Sequence, residues 1–110
     1  MQENWKFKNT ARLSLEGLVS FLESHSQEFG IFLSYYVRSK GATAENIRLI
    51  NSPVFKSPDS GYFSVEFDVA YFNLCLGIDD REKEKMKISF HFDEEITELQ
   101  LIGEDWQTFA

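Results

Sequence analysis

The sequence predicts an α+β domain in which an N-terminal helix packs on a curved, mainly antiparallel β-sheet. Apolar side chains recur at helical spacing within residues 14–28, whereas from residue 63 onwards they alternate with polar ones as in half-buried strands. A length of 110 residues with 43% hydrophobic side chains suits a single domain, 1–110, with one core. Eleven Phe, four Tyr and two Trp predict that this core is rich in aromatic rings.

The N-terminal part of the chain predicts a short strand followed by one helix. Polar and aromatic side chains alternate over residues 4–8, which is typical of a strand. Ser14 is a suitable N-cap for the helix 14–28, and Gly30 is a suitable C′ residue to end it. The side chains at helical spacing are Leu15, Leu18, Val19, Leu22 and Phe29.

Two segments in the middle of the chain fit more than one structure. Residues 31–37 are an almost continuous apolar and aromatic run, which fits a buried strand or a second helix. Their β-branched and aromatic content favours the strand. Residues 43–50 fit a short helix or a strand equally well. We therefore expect a strand over 31–37 and leave 43–50 open.

A turn at residues 56–61 opens the β half of the chain. Pro58 fixes its own φ, and Gly61 permits a positive φ, so the two favour a tight reversal. Apolar and polar side chains then alternate from 63 to 71, which predicts a strand. Beyond that strand the apolar phase shifts by one residue, which predicts a β-bulge at 70–72.

Further segments complete an antiparallel meander in the C-terminal half. Residues 77–85 predict a charged loop, 88–92 a second strand and 97–101 a third strand, with a tight polar connection at 93–95. Short connections between successive strands imply antiparallel pairing. The helix 14–28 is expected to cover the apolar face of this sheet. The order of helix and meander resembles that of cystatin-like and NTF2-like small domains at the level of fold.

The single cysteine suits a reducing compartment, and the hydropathy of the chain gives no sign of export or membrane insertion. The single cysteine, Cys75, excludes an internal disulfide and a multi-cysteine metal site, and its apolar neighbours predict a buried, inert thiol. The first residues lack the apolar region of a signal peptide, and no apolar run is long enough to span a membrane. We expect a cytoplasmic protein that does not enter membranes.

Charge is distributed unevenly along the sequence. The net charge is −7, but residues 1–58 carry seven Lys and Arg against five Asp and Glu, whereas residues 59–110 carry four against thirteen. After Lys87 the chain has no Lys or Arg, and the carboxylates there are Asp93, Glu94, Glu95, Glu98, Glu104 and Asp105. Such acidity repels nucleic acids and anionic lipids and attracts a basic partner. A role in solubility alone is the alternative.

Residue patterns that carry chemistry are sparse. The sequence has no nucleotide-binding fingerprint and no Gly-x-Ser-x-Gly elbow, so we assign no cofactor and no catalytic residue, and the pattern favours a protein that is not an enzyme. His91, Asp93 and Glu95 are metal-ligand types at strand spacing, but they lack a second His or Cys, so no metal is assigned. Glu66 and Asp68 share one strand face, which suits acid–base chemistry or a solvated surface.

The sequence therefore predicts a small acidic protein-binding module. Its most concrete form is an inhibitor or immunity-type protein that neutralises a basic partner such as a nuclease toxin, and it binds no nucleic acid. The alternative is a ligand-binding pocket protein, or a small enzyme that uses Glu66, Asp68 or His91. An oligomeric accessory protein, such as a homodimer joined through sheet faces or edges, is the third class. The expected partner-binding residues are Asp93, Glu94, Glu95, Glu98, Glu104, Asp105 and Trp106.

Overall fold

The structure, a computed structural model, describes residues 2–38, 41–73 and 78–105. Both helices pack on one face of a curved, six-stranded antiparallel sheet that forms a half-barrel, so the predicted α+β class is confirmed. The strand order is β1-β6-β5-β4-β2, and β3 pairs with β4. The elements are β1 Asn4–Lys8, α1 Leu15–Ser24, α2 Ser26–Val37, β2 Ala42–Leu49, β3 Val54–Ser57, β4 Ser60–Asn73, β5 Ile78–Asp93 and β6 Glu98–Ile102.

The core lies between the helices and the inner face of the sheet, which is the face on which the helices pack. Strand alternation places apolar side chains of β4, β5 and β6 on this face, and each is almost completely buried. Aromatic rings join the two layers, since Phe29 of α2 meets Phe63 of β4 at 6.0 Å and Phe7 of β1 meets Phe21 of α1 at 5.0 Å between ring centroids. The predicted aromatic-rich core is confirmed.

The helical region contains two helices rather than one. The predicted N-cap is confirmed, because the Ser14 hydroxyl accepts a hydrogen bond of 3.2 Å from the Gly17 N–H. The predicted continuous helix 14–28 is wrong, since α1 ends at Ser24 and α2 begins at Ser26, with His25 as the cap residue between them. The His25 Nδ1 atom lies 2.8 Å from the Phe21 carbonyl oxygen at this junction. No helix among the described residues is long and apolar enough to cross a bilayer.

The second helix corrects two predictions. Residues 31–37 are helical and not a strand, and Gly30 lies inside α2 and does not end a helix. The Ser34 hydroxyl donates to the Gly30 carbonyl oxygen at 2.6 Å and accepts from the Ala44 N–H at 2.9 Å, which ties α2 to the edge strand β2. The buried side chains recur at helical spacing, namely Phe29, Phe32, Leu33, Tyr36 and Val37.

The structure decides one segment that the sequence left open and overturns two predictions about the strands. The open segment 43–50 forms strand β2, and a register shift in its pairing with β4 lies between Glu45 and Arg48, where Asn46 has a φ of 52°. The predicted bulge at 70–72 is wrong, because β4 pairs with β5 without a register shift. The predicted loop at 77–85 is also wrong from residue 78 onwards, where β5 begins. Gly77 and Cys75 lie outside the described residues.

The other β elements follow the prediction, although one glycine has a different role. The turn near residues 56–61, the strands and the polar connection after β5 are confirmed. Gly61 does not have a positive φ, which among the described glycines only Gly41 has. Instead, a Cβ atom at Gly61 would overlap the Val54 carbonyl oxygen and lie 2.9 Å from the Phe55 Cα and from the Phe90 ring. Position 61 therefore requires glycine because the neighbouring strand leaves no room for a Cβ atom.

The Tyr36 hydroxyl joins α2 to the corner of the sheet where β1 begins and β6 ends. Tyr36 is 2% exposed, and its hydroxyl oxygen accepts a hydrogen bond of 2.8 Å from the Glu3 N–H. The Glu3 carbonyl oxygen in turn accepts one of 3.1 Å from the Gly103 N–H, just after β6. Burial raises the pKa of the Tyr36 phenol above its usual value of 10.0, although the Glu3 hydrogen bond acts in the opposite direction.

This geometry predicts a specific response to alkaline pH. Because the pKa of Tyr36 is raised in the folded state, its contribution to stability is complete below the unfolded pKa and is lost as pH rises through the folded pKa. Tyr36→Phe should cost about 1 kcal/mol at neutral pH, since the Glu3 N–H loses its partner. Above the usual tyrosine pKa the cost should shrink. Urea unfolding at neutral and alkaline pH measures this, and a cost independent of pH would contradict it.

Candidate functional site

The six predicted acidic residues fall into three places in the structure. Asp93, Glu94 and Glu95 lie at the connection between β5 and β6, and Glu98 begins β6. Glu98 is only 7% exposed, and its Oε1 atom lies 3.9 Å from the Lys6 Nζ and accepts a hydrogen bond of 3.2 Å from the Gln100 side-chain amide. Glu98 is therefore part of the sheet and is not available to a partner in the way the exposed carboxylates are.

The remaining two acids are far from the connection. Glu98 pairs with Asp93 and Ile102 pairs with Ser89, so β6 runs back along β5. Glu104 lies six residues beyond Glu98, which is about 20 Å in extended chain. Its carboxylate accepts a hydrogen bond from the Lys87 N–H. The six acids thus do not form one patch, and Trp106 lies outside the described residues.

The last residue of β5 and the connection that follows it, residues 93–97, are here called the acidic turn. Its fold is local, because the Asp93 carboxylate accepts a hydrogen bond of 3.1 Å from the Glu95 N–H. The Glu94 carboxylate lies 3.5 Å from the Arg12 guanidinium, and both side chains remain at least half exposed. Ile96 is 59% exposed, more than any other large hydrophobic side chain in the described part of the chain. Sequence reasoning missed Ile96, although an apolar residue inside a polar connection was a signal for it.

The acidic turn is held in an unfavourable backbone conformation. Thr97 has a φ of 52°, which is rare for a β-branched residue and costs free energy. Its carbonyl oxygen accepts a hydrogen bond of 3.0 Å from the Thr10 N–H, which helps to fix it. A hollow of about 290 Å³ lies beside the turn, and a second of about 490 Å³, which shares Arg12 with it, extends away from the turn to the half-exposed Leu15. The turn therefore borders a concave surface that is partly apolar.

Glu66 and Asp68 lie on the outer face of the sheet, opposite the helices. The Arg48 Nη2 atom is 2.8 Å from the Glu66 carboxylate and 3.6 Å from that of Asp68. The Arg48 hydrogen bond lowers the pKa of Glu66, and a hydrogen bond from Asn46, together with the charge of Arg48, lowers that of Asp68. Carboxylates that stay charged on an open surface do not support a role in acid–base chemistry.

His91 also lies on the outer face and is exposed. It pairs with Ser60 of β4, and Asp93 follows it on the same face. Glu95 lies in the acidic turn, where its backbone is bonded to Asp93. Among the described residues no three His, Cys, Asp or Glu side chains are grouped so that they would hold a metal ion. The metal-ligand types in this stretch therefore do not converge in the structure.

The Arg48 contacts predict a measurable change in the acidic range. Arg48→Met should raise the pKa of both Glu66 and Asp68 towards ordinary values, and Lys83→Met should raise them less. Because these pKa values are lowered by folding, the associated stability is present above the unfolded pKa and is lost as pH falls through the folded pKa. NMR titration of the side-chain carboxyl carbons measures the shifts. Equal shifts in the two variants would contradict the assignment to Arg48.

Positive charge collects on the outer face, which the linear charge count did not indicate. Strand alternation turns the bases of β5 to this face, whereas Glu82 and Glu84 pair with inner-face residues of β4. The slightly basic first half and the acidic second half of the sequence therefore do not correspond to a basic side and an acidic side of the folded protein. Eight of the ten Lys and Arg side chains in the described ranges lie on the outer face: Lys6, Lys8, Arg48, Lys56, Arg81, Lys83, Lys85 and Lys87.

Carboxylates on the neighbouring strand balance much of this charge. Lys85 is directly opposite Glu66, and Lys83 is directly opposite Asp68, so opposite charges face each other across β4 and β5. Such cross-strand pairs stabilise a solvated sheet face. The outer face is thus a ladder of paired charges, whereas the acidic turn combines exposed carboxylates with an exposed apolar side chain.

Comparisons with protein-family models, with curated proteins and with solved structures found no match to this chain. The function has to be argued from the geometry alone. Of the surfaces described above, the acidic turn places the most exposed large apolar side chain of the described residues, Ile96, directly after exposed carboxylates.

Proposed function

We propose that this protein is a protein-binding module of the inhibitor or immunity type, which binds a basic protein through the acidic turn. The observation that carries the proposal is the placement of Ile96. Its side chain is 59% exposed and follows Asp93, Glu94 and Glu95 on one short connection. Exposed apolar side chains of this size are usual when single, but this one directly follows three consecutive acidic residues.

The two components of the turn have different physical effects on binding. Exposed carboxylates accelerate association with a positively charged partner and select against acidic ones. They contribute less to affinity because an exposed ion pair is screened by water and salt. Burial of Ile96 in a partner pocket supplies the non-polar part, about 1.5–3 kcal/mol when it is complete. The turn is thus suited to fast association followed by anchoring.

The backbone supports the same proposal. Strained conformations persist where the surrounding structure holds them, and they are common at binding sites. Thr97 is strained at the end of the acidic turn and is tied to Thr10, so Ile96 is presented on a fixed backbone. A rigid connection reduces the entropy lost on binding. A basic nuclease acting in the cytoplasm is a partner of suitable chemistry.

The proposal predicts a loss of binding on charge reversal. The wild-type chain is used to capture partners from the source cells, and the dissociation constant is then measured with the purified captured protein. Glu94→Lys combined with Glu95→Lys should weaken binding by at least about tenfold, because two attractions become repulsions. Higher salt should slow association with the wild type.

A matched control separates the turn from acidity in general. Glu104→Lys combined with Asp105→Lys makes the same change in net charge at the other end of β6 and should weaken binding less than about twofold. Circular dichroism checks that both variants fold. Equal losses in the two variants, or a captured partner without a basic surface, would refute binding through the acidic turn.

A further inference from the structure

A half-open cavity with an apolar inner wall lies where the two helices meet the sheet. It has a volume of about 230 Å³ and opens beside the α1–α2 junction. Its walls come from the end of α1, the start of α2 and the facing parts of β2 and β4. The apolar side chains that line it are Leu22, Phe29, Ile47, Leu49, Phe63 and Val65. The space is therefore bounded by hydrocarbon on its inner wall and is open to solvent beside Glu23 and Ser26.

Two polar side chains line the opening of this cavity. Glu23 and Ser26 are both exposed, and within the described residues neither side chain forms an ion pair or a hydrogen bond. A shallow groove of about 800 Å³ between α2 and β2 continues from the opening, since it shares Ser26 and Ile47 with the cavity. A molecule can thus place an apolar part inside while a polar part stays in contact with solvent.

We propose that this cavity binds a small amphipathic amine, with a single aromatic ring or short alkyl chain inside and the ammonium group beside Glu23. A dry apolar cavity of about 150 Å³ is enough to bind benzene. The present cavity therefore has room for a ring with a short substituent. Phe29 and Phe63, which meet edge to face, offer an aromatic wall to such a ring.

The physical reason for occupancy is the contact of the apolar inner wall with water. An apolar group that enters covers these side chains, and the removal of apolar area from water favours binding. The sign of the polar group follows from Glu23, because a carboxylate attracts an ammonium and repels a second carboxylate. The site is separate from the acidic turn and does not depend on it.

Phenethylamine and hydrocinnamate are matched probes, since they share a ring and a two-carbon linker and differ in charge. In methyl NMR spectra phenethylamine should shift the signals of Leu22, Ile47, Leu49 and Val65. Hydrocinnamate should bind at least about tenfold more weakly. Glu23→Gln should remove most of this difference while leaving the ring bound. Binding should also raise the unfolding temperature.

A pair of size variants tests the cavity itself. Leu49→Phe adds volume at its half-buried wall and should abolish the shifts, whereas Ile50→Phe adds the same ring at the next, exposed position and should leave them unchanged. Absence of shifts with phenethylamine, retained binding in Leu49→Phe, or equal affinity for the two probes would overturn the proposal. Since Glu23→Gln is a surface change, it gives a result even if Leu49→Phe does not fold.

Discussion

Replacement of Gly61 by alanine should destabilise the protein by about 3 kcal/mol or more. The new methyl group would overlap the Val54 carbonyl oxygen and lie 2.9 Å from both the Phe55 Cα and the Phe90 ring. Two of these three neighbours are backbone atoms, so β3 would have to separate from β4 to make room. Overpacking of this kind usually costs 1–3 kcal/mol, and contact with backbone places the cost at the upper end. Urea unfolding measures it.

Gly30→Ala is the matched control, and its effect should have the opposite sign. A Cβ at Gly30 would lie 3.5 Å from the Ala44 carbonyl oxygen and 3.6 Å from the Ile47 side chain, which are ordinary contacts. Because Gly30 lies inside α2, alanine should stabilise the protein by about 0.5–1 kcal/mol. A loss of stability at Gly30, or a negligible loss at Gly61, would contradict the described backbone.

Leu33→Ala should cost about 2–5 kcal/mol, whereas Ile31→Ala should cost less than about 1 kcal/mol. Leu33 is 0% exposed and lies in the core, while Ile31 is 46% exposed. In a strand the two residues would share one face and would be buried or exposed together. In α2 they lie on different sides of the helix. The comparison therefore separates the helix from the strand that the sequence favoured.

Equal costs for Leu33→Ala and Ile31→Ala would contradict α2. Both changes replace an apolar residue by alanine, which has the highest helix propensity, so helix propensity contributes little to the difference between them. Guanidinium unfolding of the two variants, with comparable dependence on denaturant concentration, gives the comparison directly.

The helix α2 was not predictable from periodicity because its exposed side is also apolar. Ile31 and Tyr35 are on the side of α2 that lines the groove beside β2, so the run 31–37 has no polar positions with a helical repeat. By contrast, the strand 63–71 was predicted correctly because one face is solvated. Its outward Glu66 and Asp68 show the two-residue period clearly.

The start of β5 was mistaken for a loop because charged residues usually indicate solvent. Residues 81–85 alternate basic and acidic side chains, which is a strand pattern of charge rather than of hydropathy. Only the register with β4 reveals that Lys83 and Lys85 face Asp68 and Glu66. Cross-strand partners of this kind are not visible in a single sequence.

The candidate site was predictable in part. Composition identified the acids of the acidic turn, since no base follows Lys87. It also grouped them with Glu98 and Glu104, which strand pairing places inside the sheet and at the far end of β6. Charge alone gave no reason to include Ile96, because its exposure depends on the turn that presents it.

The most direct test of the central proposal is hydrogen exchange of this chain with and without its captured partner. Binding through the acidic turn predicts slower exchange of the backbone amides in residues 93–97 and unchanged exchange on the outer face at residues 83–87. Slower exchange at residues 83–87, with residues 93–97 unchanged, would contradict the proposal and place the partner on the charged outer face of the sheet.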